Sequence, residues 1–223
     1  LILFFLGLLC FAQSKEIAPV KSRITQIAQT YGFVEGQKYS LQIIAEKYPD
    51  LATEAKLAAF SFDSTALGGG FDGVKKEFKA TFKDEWPIMK NHIDDNIKKN
   101  YSSAGITKDV AKSFLSEVKS RGKGELPQDI LATLLSANSR YNKYPELELI
   151  EGWKQVFKSK GHSKSKGADF AVSLPASWSK KEGDRPNVIK TYTSNAGHGD
   201  VMCMFIVKDL PLTGGYKLTN KEI

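Results

Sequence analysis

Three side chains near the C-terminal end of the chain are the best candidates for binding chemistry. His198 and Asp200 lie two residues apart in a glycine-rich segment, and an imidazole beside a carboxylate can bind a metal ion or work as an acid–base pair. Trp178 follows Pro175-Ala-Ser and offers an aromatic ring to a binding surface. The glycines around His198 are also typical of a plain turn. We predict a binding site at Trp178, His198 and Asp200, with no catalytic residue.

The other two histidines do not form the pattern of a metal site. His92 and Asp95 lie three residues apart and share one helix face, whereas Asp94 points elsewhere. A transition-metal site needs several such ligands at short spacing, so a solvated helix face is expected. His162 lies in a basic segment, where a solvated side chain is expected. No metal ion and no cofactor is predicted.

Covalent catalysis also lacks its usual sequence pattern. The chain has no Gly-x-Ser-x-Gly elbow, and Cys203 lies between Met202 and Met204 on an alternating strand, where a packed thiol is expected. Carboxylates also lie near Trp153, as in a sugar site, but such groups are common on helices and do not define a glycosidase. They are Glu146, Glu148 and Glu151.

Helical periodicity covers the chain from Ser22 to about residue 157. Apolar residues recur there every three or four positions, which is the spacing of helices with one buried stripe. Ser22 and Thr107 are predicted to cap helices, and Pro49 is predicted to end one. Gly32 is predicted to end or weaken the first helix. The pattern predicts a mainly α N-terminal helical bundle.

Three further segments of the helical part carry predictions. The run Gly68–Gly73 lacks the Gly-Lys-Ser/Thr ending of a phosphate-binding loop and is predicted to be a loop between helical hairpins. A helix that starts at Pro127 is predicted to reach Tyr141. The last predicted helix carries four apolar residues at helical spacing: Leu147, Ile150, Trp153 and Phe157.

The hydrophobic period changes after residue 158. Residues 159–168 are rich in Ser, Gly and Lys without apolar anchors, and are predicted to be a basic linker. Beyond them, apolar residues alternate over Phe170–Leu174, Val188–Tyr192 and Val201–Val207, which predicts an antiparallel sheet. Residues 194–200 suit the hairpin loop between the last two strands.

The two ends of the chain set the predicted domain division. Leu1–Ser14 is an uncharged apolar run, too short to span a bilayer of about 30 Å, and is predicted to be a cleaved signal peptide. A capping-box pattern at Thr219–Glu222 predicts a helix that begins where the chain ends. The N-terminus lacks Met and a basic region, so we expect a fragment clipped at both ends. The division is 1–14 signal peptide, 15–158 helical domain, 159–168 basic linker and 169–223 incomplete α+β domain.

Export has consequences for the cysteines and the compartment. A cleaved leader predicts a periplasmic or secreted protein. Lipoprotein anchoring at Cys10 is not expected because Leu9, rather than a small residue, precedes it. Once the leader is removed, Cys203 is alone, so no intramolecular disulfide can form.

The charge of the chain bears on its partners. The formal net charge is +7, and all of it belongs to the part after residue 14. Lysines alternate with acidic residues on the helical stretches, which is typical of solvated helix faces, so no specific nucleic-acid binding is predicted. Net basic charge favours weak contact with anionic lipid or polysaccharide.

The C-terminal quarter resembles a known class of domain. Phe170–Trp178 reads as a strand followed by Pro-x-x-Trp, and it is followed by Gly183-Asp-Arg-Pro-Asn187 and the strand Val201–Val207. This order resembles the beginning of PsbP/Mog1-like domains, and the whole arrangement resembles uncharacterised secreted proteins of Bacteroidetes-type bacteria. The resemblance implies a sheet later backed by helices, and a non-catalytic binding or assembly role. It transfers no ligand-binding residue.

Two functions from different classes follow from the sequence. The first is a non-catalytic envelope or secreted binding and assembly protein, whose partner is an envelope protein or a small ligand. The alternative is a secreted hydrolase, with catalytic groups in a missing C-terminal part or around His198 and Asp200.

Overall fold

The computed structural model describes residues 22–100 and 105–208. The predicted signal peptide, Cys10 and the predicted capping box at Thr219–Glu222 lie outside these residues. The helices are α1 (Arg23–Lys47), α2 (Ala52–Asp63), α3 (Ala66–Phe82), α4 (Trp86–Asn100), α5 (Lys108–Gly122), α6 (Gln128–Ala137), α7 (Ser139–Lys143) and α8 (Glu146–Ile150). The strands are β1 (Lys154–Lys158), β2 (Ala171–Pro175), β3 (Ser179–Glu182), β4 (Val188–Thr193) and β5 (Met202–Ile206). The predicted fold class, a mainly helical N-terminal part followed by an antiparallel sheet region, is confirmed.

Local start and stop signals work as predicted. The Ser22 hydroxyl accepts a hydrogen bond from the Thr25 amide at the start of α1, and α1 ends just before Pro49, which begins a 3-10 turn. Gly32 does not end a helix, because it lies inside α1, which is 25 residues long in all. Tyr31 and Val34, on either side, are both fully buried, so packing holds this stretch of α1 in place despite the low helix propensity of glycine.

The prediction of a loop at Gly68–Gly73 is wrong, because these residues lie inside α3. Two of the glycines allow the backbones of α3 and α6 to touch. A Cβ atom on Gly70 would lie 2.2 Å from the Leu134 carbonyl oxygen, and one on Gly73 would lie 1.9 Å from that of Ala137. The glycines therefore serve helix packing rather than chain reversal.

The helices enclose two apolar clusters. The first lies between α1, α3 and α6, where the Tyr31 ring lies edge-on to Phe78 and Trp86 at centroid distances of 5.3 and 5.6 Å. The second lies between the C-terminal half of α1, α2 and α5, and includes Leu41, Ala58 and Leu115. No helix in the described ranges is long and apolar enough to cross a membrane.

Two predicted helix ends are wrong. The helix predicted to reach Tyr141 ends at Ala137, because Asn138 leaves helical geometry and its side chain accepts the Arg140 amide to cap the short α7. The last predicted helix ends at Ile150, and Phe157 lies on β1. Four-residue spacing between Trp153 and Phe157 fits a helix, but Phe157 is buried between sheets.

The strands form two small antiparallel sheets, β1-β2 and β3-β4-β5. A third apolar cluster lies between them, and includes Phe157, Leu174, Ile189 and Tyr192. Phe157 stacks on Phe205 of β5 with 4.7 Å between ring centroids. The hairpin predicted at residues 194–200 joins β4 to β5 in antiparallel register.

Residues 159–168, predicted to be a linker, connect the paired strands β1 and β2. They are pinned to the β3–β4 hairpin, because His162 Nε2 lies 3.2 Å from a Glu182 carboxylate oxygen and Lys164 donates to the Gly183 carbonyl. His162 is thus hydrogen-bonded rather than solvated. The division of the chain into two domains stays a prediction.

The Thr107 cap gives a first stability test. Its hydroxyl accepts the Val110 amide at the start of α5, so we expect Thr107→Ala to lower the free energy of unfolding by about 1 kcal/mol. Urea denaturation measures the change. The control is Thr81→Ala, which removes an exposed hydroxyl from inside α3 and should be neutral or slightly stabilising, since alanine is the better helix former. A loss at residue 81 as large as at residue 107 would contradict this account of the cap.

Candidate functional site

The turn Pro175–Trp178 is held by a buried carboxylate from the helical part. Glu148 of α8, only 4% exposed, accepts hydrogen bonds from the Ser177 amide at 2.6 Å and the Ser177 hydroxyl at 2.7 Å. Burial raises the pKa of Glu148, and the hydrogen bonds from Ser177 oppose that shift. The charge-assisted bonds fix the backbone just before Trp178.

Two glutamine side chains hold the same turn by its carbonyl groups. Gln155 of β1 donates from Nε2 to the carbonyl oxygens of Pro175 and Trp178, at 2.9 and 2.7 Å. Gln128 at the start of α6 donates to the Ala176 carbonyl at 3.1 Å. The position of Trp178 is therefore set by three side chains from α6, α8 and β1.

The loop between β4 and β5 is fastened to this turn and to α1. The Ala196 amide donates to the Ser177 carbonyl at 2.8 Å, and Gln26 Nε2 donates to the Ala196 carbonyl at 3.2 Å. Asn195 and Ala196 both have positive φ angles, 51° and 52°, in the left-handed region that non-glycine residues rarely adopt. Such strain is retained where surrounding contacts demand it, and it is frequent at binding sites.

A cavity of about 230 Å³ lies where the turn, the loop and the helices meet. Its wall combines five polar residues with three apolar ones. They are Gln26, Gln128, Asp129, Ser179 and Lys180, with Ala132, Trp178 and Ala196. Helices α1 and α6 thus supply one side of the cavity, and the β3 region and the β4–β5 loop supply the other.

One acceptor in this wall has no partner. Gln26 is 8% exposed, its Nε2 is used by Ala196, and its Oε1 is buried without a hydrogen bond. Thr30, one turn further along α1, is fully buried and its hydroxyl is likewise unpaired. A buried polar atom without a partner costs about 1–3 kcal/mol. Gln26 Oε1 is closed to solvent, so a donor that recovers this cost has to displace its covering atoms.

The structure places the three predicted site residues differently. Trp178 lines the cavity and packs against the third apolar cluster. His198 and Asp200 are exposed, do not line the cavity, and make no side-chain hydrogen bond or ion pair with any residue in the described ranges. The β4–β5 loop reaches the cavity through Ala196 instead.

The other candidate groups are also dispersed. Cys203 is a partly buried free thiol that packs against the third cluster, as predicted. Glu148 holds the Trp178 turn, while Glu151 accepts a hydrogen bond from Tyr141 and raises the pKa of that phenol together with burial, which is the larger cause. Within residues 22–100 and 105–208, no three His, Cys, Asp or Glu residues are grouped so as to hold a metal ion.

The sequence did not indicate Gln26, Gln128, Asp129 or Lys180. Only α1 offers a related feature. Its polar residues Gln26, Thr30 and Gln37 lie beside the apolar stripe, and the structure buries all three. Gln37 accepts a hydrogen bond from Arg121, whereas the buried Gln26 Oε1 has no partner.

The described part of the chain is mainly helical and carries two small antiparallel sheets, and a polar cavity lies where the helices and sheets meet. No protein-family model, curated protein or solved structure matches the chain.

Proposed function

We propose that this chain is a non-catalytic binding protein, exported to the envelope or secreted, whose ligand occupies the cavity at Trp178. The observation that carries the proposal is a cavity of about 230 Å³ lined by Trp178 and by Gln26, whose buried Oε1 has no hydrogen-bond partner. The Trp178 turn is already held by Glu148, Gln128 and Gln155, so binding would order little new structure, and a preorganised site gains affinity from this. The resemblance to PsbP/Mog1-like domains supports the same class.

The wall chemistry selects a neutral ligand rich in hydroxyl groups. Gln26 and Gln128 line the cavity and use their Nε2 groups on protein carbonyls, so the groups of these two side chains without a protein partner are carbonyl oxygens, which accept hydrogen bonds. Such a wall favours a ligand that donates hydrogen bonds. The Asp129 carboxylate disfavours an anion, and the Lys180 ammonium disfavours a cation. Trp178 adds an aromatic surface, and together these features fit a monosaccharide.

The cavity size is consistent with this choice. Drug-sized ligands occupy pockets of about 300–1,000 Å³, so a cavity of about 230 Å³ suits a smaller molecule. The hydrolase alternative gains no support from the exposed positions of His198 and Asp200, because general acid–base catalysis requires groups within reach of a bound substrate.

Titration with glucose, galactose and N-acetylglucosamine, followed by NMR of the indole N–H groups, tests the proposal. We expect at least one sugar to shift the Trp178 signal while the signals of Trp86 and Trp153 stay in place. Trp178→Ala and Gln26→Met should each weaken binding about tenfold or more, measured by calorimetry, because each removes a buried contact of about 1.4 kcal/mol.

His198→Ala and Asp200→Ala serve as matched controls on the adjoining loop. Both side chains are exposed and outside the cavity, so sugar affinity should stay within about twofold. Absence of any sugar-induced shift at Trp178, or loss of binding in the His198 variant, would contradict the proposed site.

A further inference from the structure

The net positive charge of the described residues lies in the sheet part. Residues 22–151 contain eighteen Lys and Arg and eighteen Asp and Glu, whereas residues 152–208 contain ten Lys and Arg against four Asp and Glu. The helical part is therefore neutral and the sheet part carries a formal charge of +6. Such an asymmetry directs the sheet part toward an anionic partner.

An exposed apolar stripe lies on β5, at the edge of the three-stranded sheet. Met202, Met204 and Ile206 are 57%, 45% and 53% exposed, and they alternate with Cys203 and Phe205, which face the third cluster. The stripe thus lies on the outer face of the sheet. Large apolar side chains exposed in a row mark an interaction surface more often than isolated ones do.

Two lysines border this stripe. Lys181 of β3 pairs in register with Thr191 of β4, which pairs with Met204, so Lys181 and Met204 lie in one row on the same face. Lys208 follows Ile206 at a spacing of two residues and is exposed. Neither lysine forms an ion pair within the part of the chain that the structure describes.

We propose that this outer face, defined by Lys181, Met202, Met204, Ile206 and Lys208, docks onto an anionic lipid bilayer. The apolar side chains enter the interfacial region while the lysines contact lipid head groups, the combination that gives reversible peripheral binding. This function is separate from the cavity at Trp178.

The charge argues for a bilayer rather than a second copy of the chain. Pairing two β5 strands would bring two basic sheet parts, each at +6, into contact with like charges facing, which is unfavourable. An anionic bilayer attracts the basic sheet part instead of repelling it, and its interfacial region can bury the methionine side chains.

Vesicle sedimentation of the full chain tests the proposal. The readout is the ratio of partitioning into phosphatidylcholine vesicles containing phosphatidylglycerol to partitioning into pure phosphatidylcholine vesicles. The segment Leu1–Ser14 is uncharged, so charge does not make it prefer one vesicle type. A basic residue near an anionic surface raises partitioning about fivefold, so K181E/K208E should lower the ratio tenfold or more. M202T/M204T should lower partitioning into anionic vesicles about tenfold.

K154E/K158E is the matched charge control. These lysines are exposed on β1, on the face away from the third cluster, so the net charge changes equally but the ratio should fall less than threefold. Equal losses in the two charge variants, or no loss in M202T/M204T, would overturn the docking face. So would wild-type protein that forms a dimer without vesicles and reverts to monomer in M202T/M204T, because a second copy would then be the partner.

Discussion

Gly73→Ala is expected to lower the free energy of unfolding by about 3 kcal/mol or more. Its new Cβ would lie 1.9 Å from the Ala137 carbonyl oxygen and 2.7 Å from the carbonyl carbon. These are backbone atoms inside the α6 packing surface, so they cannot move aside as a flexible side chain would, and α3 and α6 must separate. Overpacking a filled interface costs about 1–3 kcal/mol, and more where the backbone has to shift. Chemical denaturation monitored by circular dichroism measures the loss.

Gly32→Ala is the control for this prediction. Gly32 also lies inside a helix, but a Cβ there has no neighbouring atom within 4 Å. Alanine should therefore stabilise the protein by about 0.5–1 kcal/mol through its higher helix propensity. Wild-type stability in Gly73→Ala would show that the glycines are not needed for close packing. Because α6 also supplies Gln128, Asp129 and Ala132 to the cavity, Gly73→Ala should weaken sugar binding as well.

Glu148→Ala is expected to lower the free energy of unfolding by about 3 kcal/mol. The substitution leaves the Ser177 amide and hydroxyl buried without their acceptor, and hydrogen bonds to charged groups contribute about 1.5–3 kcal/mol each, less the recovered cost of burying the carboxylate. Glu148→Gln should stay within about 1 kcal/mol of wild type, because an amide can accept from the Ser177 amide and donate to its hydroxyl. Glu146→Ala, exposed on the same helix, should be close to neutral.

The pH dependence distinguishes the carboxylate from its amide replacement. Burial raises the pKa of Glu148 in the folded protein above the ordinary value of 4.5, so the folded state holds this proton more tightly than the unfolded state. Relative to Glu148→Gln, the free energy of unfolding of wild type should fall as the pH rises from 4.5 through the folded pKa, and then level off. Urea denaturation of both proteins across this range measures it. A rise in relative stability with pH would mean that the hydrogen bonds from Ser177 outweigh burial.

Local signals explain which parts of the fold were predictable. Ser22 and Thr107 cap helices through their own hydroxyl groups, and Pro49 ends α1 through its own ring, so the information lies within a few residues. Gly70 and Gly73 were interpreted as part of a loop. Glycine is required there because the α6 backbone, more than sixty residues further along the chain, leaves no room for a Cβ atom. Strand β1 was missed for a similar reason, since only β2 and β5 give Phe157 its place in a sheet.

The candidate site was predictable only in part, for the same physical reason. Trp178 stands out because a tryptophan after Pro-x-x is a short-range pattern. Gln26 does not, since a glutamine on an amphipathic helix ordinarily faces solvent, and its burial depends on Ala196, far along the chain. His198 and Asp200 were chosen on residue type, whereas the loop contacts the cavity through a backbone whose conformation the sequence did not indicate.

The central claim is that the cavity at Trp178 binds a hydroxyl-rich ligand through Gln26. A crystal structure of the protein with the tightest-binding sugar of the panel tests it most directly. We predict one sugar ring beside Trp178, with a hydroxyl group within hydrogen-bond distance, about 3 Å, of Gln26 Oε1. A sugar bound elsewhere on the protein, with Gln26 Oε1 still unpaired, would contradict the account.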